Sequence, residues 1–264
     1  MTLTHMHSPR RAAEGVTLLS ADLSLPGLGI LPINAFVLHG PRPMLVDTGL
    51  PGLRADFMAA LASVIDPADL AYVWITHTDA DYLGSLDAVL QAAPNARLVT
   101  TYLGMGKMSL MGRPVDRAYL LNPGQTLDLG DRAVTALAPP CFDAPETTGL
   151  FDPRGGILFS ADAFGCPVSS PAEIAADIPA EALRAGMQVW AQIDAPWLGM
   201  TDGAAYAARL DEVRRLAPRT ILGSHLPPAH GMTDTLLGNL AEARTAPPFI
   251  GPDQAALESM MAAA

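Results

Sequence analysis

The chain has 264 residues, 50% of them hydrophobic, and a formal net charge of -11. That apolar content can fill a sizeable core, and so acidic a chain is repelled by phosphate backbones, which argues against nucleic acid as a partner. No apolar run reaches the ~18 residues that a membrane-spanning helix needs, and two cysteines are too few for a disulfide scaffold. The N-terminal MTLTHMHSPRRAAEG has two arginines without an apolar core behind them, so it does not read as a signal peptide. The expectation is one cytoplasmic domain over residues 1–264, frayed at 1–12 and 260–264.

In chain order, Val16–Ser20 is a short β-like run and Pro26–Leu31 a Gly/Pro turn region. Ile33–Leu38 and Met44–Val46 are apolar and β-like around a hairpin-like His39–Pro43, and Asp47-Thr48-Gly49 ends the second of them. Leu53–Ile65 has helical spacing and stops at Asp66-Pro67. Leu70–Ile75 reads as the next strand, Leu83–Ala92 as a helix and Arg97–Thr101 as a strand. Leu127–Leu129 and Ala133–Leu137 flank Gly130-Asp131. Gly156–Ser160 reads as a buried strand, Ala180–Ala191 and Ala204–Leu216 as helices, and Thr220–Leu222 as a last strand. Hairpin strands with interleaved helices predict an α/β layered architecture.

Five strands end in Asp or His: Asp47, His77, Asp143, Asp162 and His225. A lone Asp there is usually a turn former or helix cap, and a lone His is more often a satisfied core or surface residue. The stretch THTDADYLGSL at 76–86 differs. Strand-like alternation aims His77, Asp79 and Asp81 at one side, where unpaired carboxylates repel one another and a cation removes that cost. Cys141 and Cys166 read as buried inert thiols, and Met105, Met108 and Met111 as core or lid residues.

Taken together, MLVDTG at 44–49, THTDADYLG at 76–84, the Asp143 region, FSADAFG at 159–165 and ILGSH at 221–225 resemble the metallo-β-lactamase fold superfamily, in family order. The superfamily's second motif is His-x-His-x-Asp-His; here Asp79 and Tyr82 replace its second and last His. The flavodiiron proteins, and oxygen-binding diiron proteins without a flavodoxin domain, carry His-x-Glu-x-Asp there, and Asp79 is one methylene shorter than that Glu. Their next motif is matched by Asp143-Ala144-Pro145-Glu146-Thr147, with Asp143 standing where a His is expected.

The resemblance implies a metallo-β-lactamase-like four-layer αββα sandwich. It implies a metal shell of His77, Asp79, Asp81, Asp143, Asp162 and His225, with Asp162 bridging and Asp47 behind the ligands. His225 keeps the family distance from its strand and His230 keeps the following Gly; His225 is preferred, because the presenting strand sets a ligand's position. Tyr82 and His230 are the candidate pocket residues. Four carboxylates and two imidazoles balance two divalent cations, as in ferritin-like di-iron bundles, and hard oxygen ligands point to iron, with manganese or zinc as alternatives. The implied function is binding or reduction of dioxygen or a similar small oxidant. With residues ending at Ala264, the expectation is that electrons come from a separate protein. A metal-dependent hydrolase of an ester, thioester or phosphodiester and a metal-depleted binding protein are the alternatives, and a homo-oligomer is compatible with all three.

Overall fold

The computed structural model describes residues 4–262, residues 260–262 by their backbone alone. Two sheets stack face to face. The first runs His5–Met6, Val16–Leu25, Gly29–Leu38, Met44–Val46, Tyr72–Trp74, Arg97–Thr100 and Ala118–Leu120, with Arg10–Ala13 also on Val16–Leu25. The second runs Ala229–His230, Thr220–Leu222, Ile157–Phe159, Gly149–Asp152, Ala133–Leu137 and Thr126–Asp128. Among the described residues, no helix is long and apolar enough to cross a membrane.

Alternation of side chains along the strands builds the layers. Leu18, Phe36, Met44, Val46 and Trp74 face inward and pack on Val134, Leu150, Phe159 and Leu222 of the second sheet. Their neighbours Leu19, Ala35, Val37, Leu45 and Val73 face outward under the helices Arg54–Val64, Leu86–Ala92 and Tyr102–Leu110. The other face of the second sheet is covered by Ala180–Asp194, Gly203–Leu216 and Thr233–Ala243, through Leu183, Met187, Leu210 and Leu240. This is the expected αββα sandwich. Met44–Val46, Tyr72–Trp74, Arg97–Thr100 and Ala118–Leu120 pair in parallel. Ile157–Phe159 pairs in parallel with Thr220–Leu222. Ligand sites form beyond the carboxyl ends of such strands.

Three expectations need correction. Within the stretch 1–12 expected to fray, His5–Met6 and Arg10–Ala13 are paired: Arg10–Ala13 turns at Gly15 (φ 68°) back onto Val16–Leu25 and buries Ala12. Residues 1–3 and 263–264 lie outside the described residues, while Gln254–Ala262 is helical. The helix expected over Leu83–Ala92 is two pieces, Ala80–Leu83 and Leu86–Ala92. The break lies at Gly84, where an added Cβ would sit 2.1 Å from the Gly49 carbonyl. Only glycine lets the ligand-bearing turn pack this closely on the Asp47–Gly49 turn.

Candidate metal centre

Strand ends of the two sheets bring His77, Asp81, Asp143, Asp162 and His225 close together. Asp47 follows Met44–Val46 and takes a left-handed conformation (φ 61°) that Asp tolerates better than most residues. Its carboxylate accepts the Thr76 backbone N–H at 2.9 Å and the Thr76 hydroxyl at 3.0 and 3.1 Å. The hydroxyl proton is committed to Asp47, so Thr76 Oγ1 accepts from His77 Nδ1 at 3.2 Å. His77 Nε2 is thereby turned into the cleft.

His225 is set in the same way. The loop after Thr220–Leu222 is tied to the first sheet by Asn34, whose Nδ2 donates to Gly223 and Leu226 carbonyls at 2.9 and 2.8 Å. His225 Nδ1 lies 2.8 Å from the Pro32 carbonyl, which only accepts, so Nδ1 carries the hydrogen and Nε2 faces the cleft. Trp190 packs edge-on against this ring at 4.6 Å. Its Nε1 donates to the Asp162 carbonyl at 3.2 Å.

Asp162 lies between the two rings. One carboxylate oxygen is 3.2 Å from His77 Nε2 and the other 3.3 Å from His225 Nε2. Ala161 and Phe164 in the same turn both have positive φ, 50° and 70°. Such strain persists where surrounding contacts over-determine it. Asp143 Oδ1 is 4.0 Å from His77 Nε2, and Asp81 Oδ2 is 3.5 Å from His225 Nε2. Trp197 Nε1 donates to the Phe142 carbonyl at 2.9 Å and so steadies the segment that carries Asp143. Asp79 occupies the start of the helix Ala80–Leu83, yet its side chain makes no capping hydrogen bond. Its carboxyl group faces the charges of His77, Asp81 and Asp162.

The electrostatics follow from this crowding. Burial alone would raise Asp162, but the facing His77 and His225 outweigh it and hold the carboxyl well below the usual carboxylate range. Burial would lower His77, but Asp162 and then Asp143 outweigh it and push the imidazole up to about 10. Asp79, Asp81 and Asp143 are all raised, by burial first. Asp47 is pushed up to about 7 by burial, in spite of the Thr76 hydrogen bonds.

A cation fits one side of this arrangement directly. His77 Nε2 is buried and faces the carboxylates of Asp162 and Asp143 at 3.2 and 4.0 Å. His77, Asp143 and Asp162 each bring a ligand atom within 4.8 Å of the others. That is close to the span of ligands bound at ~2.0–2.2 Å on opposite sides of one ion. On the other side the Tyr82 hydroxyl hydrogen-bonds Asp162 Oδ1 and lies 2.8 Å from His225 Nε2. Tyr82 thus lies in contact with both of these groups. His230 does not. It is exposed on Ala229–His230, and its Nδ1 pairs with Thr220 Oγ1 at 3.1 Å. The antiparallel turn back along Thr220–Leu222 carries it away from the strand end that presents His225.

Two acidic groups were missed. Asp194 lies at the end of Ala180–Asp194, with an unpartnered buried carboxylate oxygen. Burial, then Asp162 and Asp143, push it up to about 9. Its signal was in the helical stripe Leu183, Met187, Ala191, Asp194, which continues an apolar face into an acid. Glu146, 2% exposed, accepts from Thr78 Oγ1 and Lys107 Nζ, both at 2.7 Å. The two cysteines are free and buried, as expected, and burial pushes Cys166 up to about 12.

Comparison with known proteins bears on the family and the fold. A family model described as ODP family beta lactamase matches residues 32–225. Over 196 residues the chain is 24% identical to the nitric oxide reductase of Moorella thermoacetica, covering 73% of this chain and 48% of that one. Over 201 residues it is 26% identical to the rubredoxin-oxygen oxidoreductase of Megalodesulfovibrio gigas, covering 75% and 48%. The chain therefore spans about half the length of these curated relatives. The rubredoxin oxygen:oxidoreductase structure from Desulfovibrio gigas superposes with a TM-score of 0.79 at 22% identity, over 91% of this chain and 62% of that one. A mutant flavo di-iron protein from Thermotoga maritima gives 0.78 at 16% identity, over 95% and 65%. At these identities the superpositions establish the fold.

Proposed function

This chain belongs to the ODP family of beta lactamases, and from that premise we propose that it is a non-haem dinuclear iron protein that binds or reduces dioxygen or a similar small oxidant, nitric oxide included. The observation that carries the reading is the pair of imidazoles whose Nδ1 atoms are tied to Thr76 and Pro32, leaving both Nε2 atoms turned onto Asp162. In this reading His77, Asp79 and Asp143 hold one ion, Asp81 and His225 hold the other, and Asp162 bridges. Bound iron would supply one-electron redox chemistry toward the small oxidant.

The protein's own residues have separable tasks. Asp47 fixes Thr76, and Thr76 fixes the His77 tautomer; such supporting groups set ligand basicity and orientation. Asp194, raised to about 9, is a protonated carboxyl beside the anionic Asp162 and can hold a proton at the floor of the site. Asp79 and Asp143 are exposed and leave the mouth open to a small molecule. Electrons are proposed to come from a separate donor protein, a reading supported by the relative named for rubredoxin.

Anaerobic purification without chelator, elemental analysis and optical spectra before and after exposure to dioxygen or nitric oxide test this reading. The expected result is bound iron, with an absorbance change on exposure. Bound zinc with esterase turnover would replace it by the hydrolase reading. Protein purified with no metal, and unable to take up iron, would overturn it.

A further inference from the structure

The two sides of Asp162 are not in the same condition. On the His77 side the buried ring nitrogen faces only groups that would themselves hold an ion, Asp162 at 3.2 Å and Asp143 at 4.0 Å. On the His225 side the ring nitrogen and the carboxylate oxygen that would hold an ion are already engaged by one hydroxyl, that of Tyr82. We propose that Tyr82 makes the two metal positions unequal: the His77 position takes an ion directly, and the His225 position takes one only when the Tyr82 hydroxyl gives up His225 Nε2 and Asp162 Oδ1. The proposal rests on reading the cleft as a two-ion centre.

Tyr82 cannot simply swing away. It is 1% exposed. Its ring is stacked at a tilt against His77, with centroids 4.0 Å apart. Its carbonyl accepts from the Thr48 backbone N–H at 2.9 Å, and the following Leu83-Gly84 turn is locked by the close approach of Gly84 to the Gly49 carbonyl. An imidazole at this position, the residue type in the motif this chain resembles, is shorter than a phenol. It would stop short of His225 and leave space between the rings, whereas the phenol carries its oxygen into that space.

The hydroxyl also has one proton for two partners. It lies between His225 Nε2 and Asp162 Oδ1 and contacts both. An ion at His77 enters between residues that would themselves hold it, whereas an ion at His225 has also to displace the Tyr82 hydroxyl.

The test is anaerobic titration of the chelator-stripped full chain with cobalt(II), followed by calorimetry and by the visible bands of the bound ion. Wild type should take a first ion tightly and a second about 10- to 100-fold more weakly, a gap of about 1.4–2.8 kcal/mol and within the range of hydrogen bonds to charged groups. Tyr82→Phe keeps the ring and removes the hydroxyl, so the second ion should tighten by about tenfold with the first unchanged. Tyr82→His should bring the two affinities closer still. Two equal affinities in wild type would overturn the proposal while leaving the dinuclear reading intact, and that titration decides even without the variants. An unchanged second affinity in folded Tyr82→Phe would also overturn it. Failure of wild type to bind any ion would overturn both readings.

Discussion

His77, Asp162, His225 and Tyr82 form a floor in which no residue is more than 4% exposed. Asp81 and Asp143 at the mouth have side chains 21% and 28% exposed. The floor is held by backbone carbonyls, a buried carboxylate and packed rings; at the mouth the backbone beside Asp143 is tied to Trp197, but the Asp143 and Asp81 side chains are partly exposed. The contrast separates geometry from charge. The floor fixes where ligand atoms sit, and it cannot relax cheaply when one is removed. The mouth sets how much negative charge faces the cleft, and its side chains can adjust.

The largest effect is expected at the floor. Asp162→Ala removes the one carboxylate that faces both imidazoles. Breaking a buried charge pair by deleting one partner costs about 3–5 kcal/mol, so the metal-free variant should show a large fall in denaturant midpoint. It should also lose metal at both positions, whereas Asp143→Ala at the mouth should affect mainly one. Asp162→Ala that retains both ions in elemental analysis would remove the bridging role and, with it, the distinction between floor and mouth.

Asp47 tests whether the floor depends on support from behind. Asp47→Ala leaves the buried Thr76 N–H and hydroxyl unpaired, each worth about 1–3 kcal/mol, and puts Ala at a positive φ. Loss of a group that orients a ligand typically weakens metal affinity by about 10–100-fold. Asp47→Asn can still accept from Thr76 through its amide oxygen and should recover most of the affinity. Equal affinities in wild type and Asp47→Ala, measured by competition with a chelator, would show that His77 needs no such support.

Much of the floor is readable from the amino-acid sequence. Alternation in THTDADYLG and an Asp or His at five strand ends point to the cleft, because a strand fixes both the direction and the position of the residues at its end. Other parts are not readable in that way. Asp194 is acidic only in its local context, and its role depends on Asp162, 32 positions away in the chain. The Tyr82 hydroxyl is a pocket candidate by position, but its hold on His225 arises from a register between two sheets that no local pattern encodes. Gly149–Asp152 is four residues long and carries no apolar–polar alternation of its own; pairing on both sides makes it a central strand. Thr233–Ala243 was missed although Leu236, Leu237 and Leu240 lie at helical spacing.

A smaller effect concerns pH, and it sharpens the contrast by removing the metal. In the metal-free protein a proton on His77 stands in for the cation. The imidazole is raised from 6.5 to about 10 on folding, so its contribution is full below about pH 6.5 and is lost as pH rises through about 10. Asp194, raised from 3.8 to about 9, and Asp47, raised to about 7, act in the same direction, favouring the fold at low pH and losing that contribution on the way up. Asp162 acts oppositely, and its contribution disappears as pH falls below the carboxylate range. Denaturant midpoints at about pH 5, 7 and 9 should therefore fall with pH in stripped protein and fall less in loaded protein. A midpoint that rises from neutral to alkaline pH without metal would contradict the buried proton.

The smallest effect belongs to the mouth, and it is one of selectivity. Asp143 stands where the resembled motif carries His, and Asp79 where the wider superfamily carries His and the flavodiiron proteins Glu; each presents a hard anionic oxygen where an imidazole would present a neutral, borderline nitrogen. Zinc leans on His and Cys, while oxygen-rich shells suit iron and manganese. The double substitution Asp79→His, Asp143→His should move relative affinity toward zinc by about tenfold, a shift of about 1.4 kcal/mol. Both sites are exposed, so larger rings have room, but neither has a neighbour placed to fix an imidazole tautomer as Thr76 and Pro32 do for the floor. That shortage keeps the expected shift modest. Anaerobic competition between iron(II) and zinc, run on wild type and the double variant, measures it. Wild type that already prefers zinc as strongly as the variant would mean that charge at the mouth does not choose the metal, and would return the centre to the chemistry of a hydrolase.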